Sequence, residues 1–175
     1  MLGGARPSHM LGTPCSRRLT GFPHGYGTRP RRNDFIMSAN TNTNLASEFY
    51  VASQLFRCGY TVTLTLGNTK EIDLIVTDGT KVLTIDVKGL KNMTNWPLTL
   101  IAEPRQNHFF VLVAWKNKFE KIGDIDSVPD VYIIPATKIR EVLTPWAGRP
   151  NVTCVAYRNI KNSEYKNAWK SLFKN

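Results

Sequence analysis

Two acidic residues and a lysine in EIDLIVTDGTKVLTIDVKG, residues 71–89, have the types and spacing of a small catalytic site. Asp86 and Lys88 lie two residues apart in VLTIDVK, and side chains two apart on a strand point to the same face. The alternate positions of this strand are aliphatic and predict a side that faces the core, made of Leu83, Ile85 and Val87. Asp86 and Lys88 therefore share the opposite face.

The pairing register of the hairpin decides where Asp73 lies. A two-residue loop at Asp78-Gly79 would place Asp73 opposite Thr84. A loop at Gly79-Thr80 would instead place Asp73 directly opposite Asp86. Both registers put the two aspartates on one face with Cβ atoms about 5 to 8 Å apart. Only a shift by an odd number of residues separates them, and it would also expose the aliphatic side.

Two carboxylates that face each other across strands repel, and the pair is destabilising unless positive charge lies between them. Lys88 supplies a single positive charge, which does not neutralise both. A divalent cation does, and oxygen ligands without a nearby histidine favour Mg²⁺ or Mn²⁺ over zinc. The Lys88 ammonium is then free to orient or help deprotonate a water. Phosphodiester hydrolysis requires an activated water and neutralised charge on the phosphoryl oxygens, and this set of residues would supply both.

A helix must precede the hairpin, because LASEFYVASQLFRCG has helical period, follows several candidate N-caps in NTNTN and ends at Gly59. Spacings of three and four residues predict one shared stripe, made of Leu45, Glu48, Ala52, Leu55 and Phe56. Glu48 is thus a carboxylate on the apolar side of the helix. Helix position alone slightly favours the alternative, a glutamate at the edge of the stripe that reaches water.

The remaining elements predict an α/β fold with a mixed sheet. YTVTLTL alternates as a strand and ends at the Gly67-Asn68 turn, and with IDLIV and VLTIDV it predicts an antiparallel meander packed on the helix. FFVLVAW is a continuous apolar run, typical of a strand buried on both faces. The further predicted elements are a short strand LTLIA, a strand VYIIP, a helix ATKIREVL capped by Thr137, a strand VTCVAY and a terminal helix SEYKNAWKSLF.

A helical glutamate, an aspartate that leads one strand and D-x-K at the end of the next resemble the PD-(D/E)xK nuclease superfamily. This superfamily has the restriction-endonuclease-like fold and includes Holliday-junction-resolvase-like members. The matching pieces are Glu48 in LASEFYVASQLFRCGY, Asp73 in EIDLIV and Asp86-Val87-Lys88 in LTIDVKG. Ile72 stands where the motif has its proline.

The resemblance implies a restriction-endonuclease-like core over residues 37–175, with a central mixed β-sheet, an antiparallel meander plus added strands, flanked by helices. It implies metal ligation by Asp73, Asp86 and the carbonyl of Val87, with Glu48 as a supporting carboxylate and Lys88 positioning the water. The implied function is that of a Mg²⁺- or Mn²⁺-dependent endonuclease acting on DNA. Many relatives work as dimers so that two sites cut two strands, which makes a homodimer an open expectation.

Charge is divided unevenly along the 175 residues. Residues 1–36 carry six arginines and one aspartate and are rich in Gly and Pro, which predicts a disordered basic tail. The rest holds 17 Lys and Arg against 12 Asp and Glu, a mildly basic balance that suits a nucleic-acid partner without requiring one.

Two other features of the sequence indicate the location of the protein in the cell. No window holds eighteen uninterrupted apolar residues, so we expect no membrane span. Cys15, Cys58 and Cys154 are odd in number and widely spaced, which favours reduced thiols and a cytoplasmic location.

Two rival functions fit the same residues. The first is a non-catalytic nucleic-acid-binding module on the same fold, whose DNA binding depends on salt and not on metal. The second is a structural or interaction domain in which Lys88 merely forms salt bridges with Asp73 and Asp86.

Overall fold

The computed structural model describes residues 39–65, 72–98, 105–149 and 151–173. The predicted tail over residues 1–36, the Gly67-Asn68 turn and residues 99–102 of the predicted LTLIA strand lie outside these ranges. The elements in chain order are α1 (Ala39–Arg57), β1 (Thr61–Leu64), β2 (Leu74–Thr77), β3 (Val82–Leu90), β4 (Asn95–Leu98), β5 (His108–Ala114), β6 (Asp130–Pro135), α2 (Ile139–Val142), β7 (Leu143–Pro145), β8 (Thr153–Ala156) and α3 (Tyr157–Ile160). Single 3-10 turns lie at Ile122–Asp124 and Trp169–Ser171.

The central sheet has five strands in the order β1-β2-β3-β5-β6. β1, β2 and β3 form the antiparallel meander that the alternating patterns predict. β5 then joins β3 in parallel, and β6 pairs with β5 antiparallel. The sheet is therefore mixed, as predicted. The apolar run FFVLVAW forms most of β5, which has strand neighbours on both sides and core on both faces.

α1 packs on one face of this sheet through a row of side chains four residues apart that includes Ser47, Val51 and Leu55, all almost fully buried. The prediction that Phe56 belongs to the buried stripe is wrong, because its side chain is 53% exposed. The pattern of apolar residues missed the row through Ser47 because that residue is polar. Its hydroxyl donates to the Thr43 carbonyl at 2.8 Å, which removes the cost of burying it.

The other face of the sheet is covered by a second, three-stranded sheet in the order β4-β8-β7, with α2 and α3 beside it. β4 spans Asn95–Leu98 and fully buries Trp96; of the strand predicted over LTLIA, only Leu98 lies within the described residues, and it belongs to β4. The large indole fills the space between the sheets, and its Nε1 donates to the Val113 carbonyl at 3.3 Å. Thr137 is not the N-cap of α2; Lys138 holds that position without a side-chain cap bond.

The predicted terminal helix SEYKNAWKSLF is wrong. Lys166 forms an isolated β-bridge with Tyr132, and Asn167 has a left-handed φ of 54°. A left-handed residue stops an α-helix, so only the short 3-10 turn follows. The segment still packs on the core, because Leu172 is buried on the α1 side and Trp169 packs against the same cluster.

None of the helices in the described part of the chain is long and apolar enough to cross a membrane.

Candidate active site

The predicted site forms where β2 begins and β3 continues past it. Leu74, the first residue of β2, pairs with Ile85, so the Asp86–Leu90 half of β3 has β5 on one side and no β2 partner on the other. Continuing this register places Asp73 directly opposite Asp86, the second of the two arrangements predicted from the sequence.

The turn that joins β2 and β3 fixes this register. It spans residues 78–81, and the Asp78 Oδ1 accepts hydrogen bonds from the backbone N–H groups of Thr80 and Lys81, each at 2.8 Å. A side-chain oxygen that accepts a hydrogen bond from the backbone two residues ahead stabilises a turn, even where the turn residues form no strand-to-strand backbone pair. The four-residue loop therefore shifts the pairing by two residues relative to a two-residue loop at Asp78-Gly79, and the partner of Asp73 becomes Asp86 instead of Thr84.

Asp73 directly precedes β2 and lies where one more residue at the start of that strand would pair with β3. Its N–H donates to the Ile85 carbonyl at 2.8 Å, and its Oδ2 accepts from the Val87 N–H at 2.7 Å. A strand residue directs its N–H and C=O to the same side, so the Val87 carbonyl also faces this edge. The Asp73 carboxylate and the Val87 carbonyl are thus two oxygen groups on one edge of β3.

Asp86 is almost fully buried on the face of β3 that points away from α1, beside β5 residues Phe110 and Leu112. The Lys88 ammonium lies 2.5 Å from its Oδ1, an ion-pair distance. Asp86 is therefore a buried carboxyl group with one positive charge close to it.

Burial is the largest influence on the Asp86 carboxyl group and raises its pKa to about 7. The Lys88 ammonium opposes this rise, whereas the neighbouring Asp73 carboxylate adds to it. A buried carboxyl group beside a second carboxylate is the arrangement in which a bound cation stabilises the ionised form most. The donor set thus fits a hard divalent cation held by oxygen atoms.

Gly89 follows the D-x-K sequence and allows α1 to approach β3 closely. A Cβ atom at this position would lie 2.5 Å from the Ser47 Oγ and 2.6 Å from the Thr43 carbonyl oxygen. Real Cβ atoms do not approach other heavy atoms so closely, so any other residue would push the helix away. The spacing between α1 and the site therefore depends on this glycine.

Hydrogen bonds from α1 hold the open edge of β3 at the same point. The Asn44 Oδ1 accepts from the Gly89 N–H at 3.1 Å. The Trp115 Nε1, just after β5, donates to the Ser47 Oγ at 3.1 Å. Asp73 and Asn44 thus accept hydrogen bonds from two successive edge amides of β3, those of Val87 and Gly89. The bonds of Asn44 and Ser47 fix α1 on the sheet.

Glu48 lies one helical turn after Asn44, and its side chain is half-buried. Within residues 39–65, 72–98, 105–149 and 151–173, no three His, Cys, Asp or Glu side chains come together as a group able to hold a metal ion. The structure therefore brings Asp73, Asp86 and Lys88 together, with the Val87 backbone, and does not add Glu48 to them as a third directly ligating carboxylate.

Sequence reasoning missed Asn44, Ser47 and Gly89. A signal for Asn44 exists, because it lies four residues before Glu48 on the same helix face. A glycine directly after D-x-K is a second signal, since glycine in a strand often marks the close approach of another backbone. His108 begins β5 and is buried, with its Nδ1 2.9 Å from the Thr84 Oγ1.

No family model and no curated protein matches the chain. Among solved structures, the chain is similar to a bacterial homing endonuclease, I-Ssp6803I, with 15% sequence identity and a TM-score of 0.48. The match covers 77% of this chain and 93% of that chain. At this identity and TM-score, the likeness assigns no role to any residue of this chain.

Proposed function

We propose that the protein is a metal-dependent nuclease that hydrolyses phosphodiester bonds in DNA. The observation that supports this most is the buried Asp86 carboxyl group, which lies opposite Asp73 and pairs with the Lys88 ammonium. A structural ion pair needs one carboxylate for one lysine. Here a second carboxylate raises the pKa of the first, which costs stability unless a cation is bound.

Asp73, Asp86 and the Val87 carbonyl would hold Mg²⁺ or Mn²⁺. Mg²⁺ is commonly bound by one or two carboxylates, with waters and substrate phosphate oxygens in its other positions, so two aspartates suffice. When bound, such a cation lowers the pKa of a water and neutralises charge on the phosphate. Glu48 would support this set from α1 through a water, consistent with its half-buried position one turn after Asn44.

Lys88 would position the attacking water. Its ammonium lies on the same face as Asp86, and about a third of the side chain is exposed, so it reaches both the carboxylate and the solvent. An ammonium has three donors and no acceptor, which suits it to orient a water and to stabilise charge that develops on the phosphate. Lys88 pairs with Leu112 of β5 in the parallel register.

A cleavage assay tests the proposal. Purified protein would be incubated with supercoiled plasmid and with branched DNA in Mg²⁺ or Mn²⁺, alongside Asp86→Asn and Lys88→Met. We expect cleavage by the wild type and a loss on the order of 100-fold or more in each variant, the usual effect of removing a positioned catalytic group. Lys138→Met is the matched control, because Lys138 is exposed and pairs with Glu141 on α2.

Two outcomes would refute the proposal. One is cleavage that persists at the wild-type rate in both site variants, which would indicate a contaminating nuclease. The other is no cleavage of either substrate by the wild type with either metal. In that case, DNA binding that ignores metal would support the non-catalytic binding module instead.

A further inference from the structure

A cleft of about 400 Å³ opens beside the candidate site and shares Lys88 with it. It lies between the start of α1, the end of β3 with the loop that follows, β4, and the turn between β7 and β8. The side chains on which its chemistry depends are Asn44, Lys88, Lys91, Trp146 and Arg149. No acidic residue is among the described residues that line it, so the lining is cationic and amide-rich with an indole.

Trp146 and Arg149 form a fixed pair at the far end of this cleft. The Arg149 guanidinium carbon lies 4.6 Å from the centroid of the Trp146 ring. The Arg149 N–H donates to the Trp146 carbonyl at 3.0 Å, and Gly148 has a left-handed φ of 78° that closes the turn. The Trp146 N–H donates to the Val152 carbonyl at 2.8 Å. Hydrogen bonds of the turn thus hold the backbone that carries the indole.

Lys91 and Arg149, the two cationic residues of the cleft apart from Lys88, differ in how far an ion pair already neutralises their charge. Lys91 forms an ion pair with Glu120. Arg149 is exposed and forms no ion pair with any described residue. In the part of the cleft away from the candidate site, most of the unpaired positive charge therefore belongs to Arg149. A guanidinium stacked on an indole and facing an open cleft suits a phosphate group followed by a planar base.

The size of the cleft limits what form this ligand takes. Sites of about 300 to 1,000 Å³ hold ligands of the size of a nucleotide, whereas a duplex keeps its bases stacked inside. An aromatic side chain within a cleft contacts a base only if that base has left the duplex or was never paired. Because Lys88 belongs to both the cleft and the site, the bound nucleotide adjoins the reacting phosphate.

We propose that this cleft binds an unpaired nucleotide next to the cleaved bond, so that the protein prefers DNA with a single-stranded or branched segment over continuous duplex. This inference rests on the proposed function for the identity of the cleaved bond. Trp146 stacks on the base, and Arg149 and Lys91 contact the phosphates that follow.

Binding measured in EDTA tests the cleft without depending on cleavage. Fluorescence anisotropy would compare a forked DNA with a fully paired duplex of the same length. We expect the wild type to bind the fork at least about fivefold more tightly. Trp146→Ala should lower fork affinity about five- to 100-fold, the usual effect of losing one base–aromatic stack, and bring fork and duplex to nearly equal affinity. Trp146→Phe should retain most of the preference.

The role of Arg149 is tested by a separate measurement, the salt dependence of binding, with a control variant of its own. Arg149→Ala should weaken fork binding and reduce the slope of log affinity against log salt by about 0.7 to 0.9, the effect of losing one phosphate contact. Arg57→Ala is the matched control, because Arg57 is exposed at the opposite end of α1 and bonds only Gln54 among described residues. It should leave the affinity, the fork preference and the salt slope nearly unchanged.

The outcomes separate this inference from the proposed nuclease. Equal wild-type affinity for fork and duplex, or a fork preference that survives Trp146→Ala in a folded variant, would overturn the cleft assignment even if the protein cleaves DNA. A fork preference that depends on Trp146 in a protein without cleavage activity would support the cleft and refute the nuclease. If Trp146→Ala does not fold, the effect of Arg149→Ala on fork affinity and salt slope decides.

Discussion

Replacing Asp86 by asparagine should stabilise the metal-free protein, although it should abolish cleavage. Burial raises the Asp86 pKa from 3.8 to about 7, so ionising this group costs the folded state free energy. Each tenfold change in the acid dissociation constant of Asp86 corresponds to about 1.4 kcal/mol, and the whole rise in its pKa corresponds to about 4 kcal/mol. Asparagine has nearly the same shape, carries no charge beside Asp73 and removes this cost. We therefore expect a gain in unfolding free energy of up to about 4 kcal/mol at pH 8.

The pH dependence gives this prediction its sign. Between about pH 4 and pH 7 the folded protein keeps a proton on Asp86 that the unfolded chain releases, so the free energy of unfolding from this group falls as pH rises. Urea unfolding in EDTA at pH 5, 6, 7 and 8 should therefore show wild type and Asp86→Asn converging at low pH and separating at high pH.

A matched exposed carboxylate provides the control for this experiment. Asp126→Asn removes one negative charge from the exposed loop between β5 and β6 and should change stability by less than about 0.5 kcal/mol at every pH. A raised Asp86 pKa is contradicted if Asp86→Asn is no more stable than the wild type at pH 8, or if the two pH profiles run parallel.

Three further substitutions test the contacts that build the site. Gly89→Ala should cost about 1 to 3 kcal/mol in unfolding free energy, because the new methyl group meets the Ser47 hydroxyl and the α1 backbone; urea titration measures it, and an unchanged midpoint would contradict the close packing. Asp73→Ala should cost about 1 to 3 kcal/mol by leaving the Val87 N–H without its acceptor; in hydrogen exchange, this amide should lose protection, and retained protection would argue against the bond. Trp115→Phe should cost about 1 kcal/mol by removing its bond to Ser47, and Phe119→Leu beside it serves as the comparison.

The meander and the phase of β3 follow from the sequence because the strand period decides them. Leu83, Ile85 and Val87 alternate with Asp86 and Lys88, so burying the aliphatic set leaves one face for the charged pair. The exact register did not follow, because it depends on a turn in which the Asp78 side chain replaces a ladder pair. Turn geometry of this kind is decided by local hydrogen bonds rather than by hydrophobic period.

The missed features share a physical cause, which is that polar atoms become buried once their hydrogen bonds are satisfied. Ser47 is buried because the Thr43 carbonyl accepts a hydrogen bond from its hydroxyl, and the helix therefore faces the sheet with a row that apolar spacing does not reveal. The terminal segment has helical spacing, yet Lys166 pairs with Tyr132 and Asn167 turns left-handed. Tertiary pairing overrides local helix propensity in such a segment.

Mn²⁺ binding tests most directly whether Asp73 and Asp86 form a divalent-cation site. Isothermal titration calorimetry at pH 7.5 would compare the wild type with Asp86→Asn and with Lys88→Met. We predict one saturable Mn²⁺ site per chain in the wild type, its loss in Asp86→Asn, and binding at least as tight in Lys88→Met, because that variant removes a competing cation. The absence of Mn²⁺ binding by the wild type at millimolar metal, or unchanged binding in Asp86→Asn, would contradict the metal site.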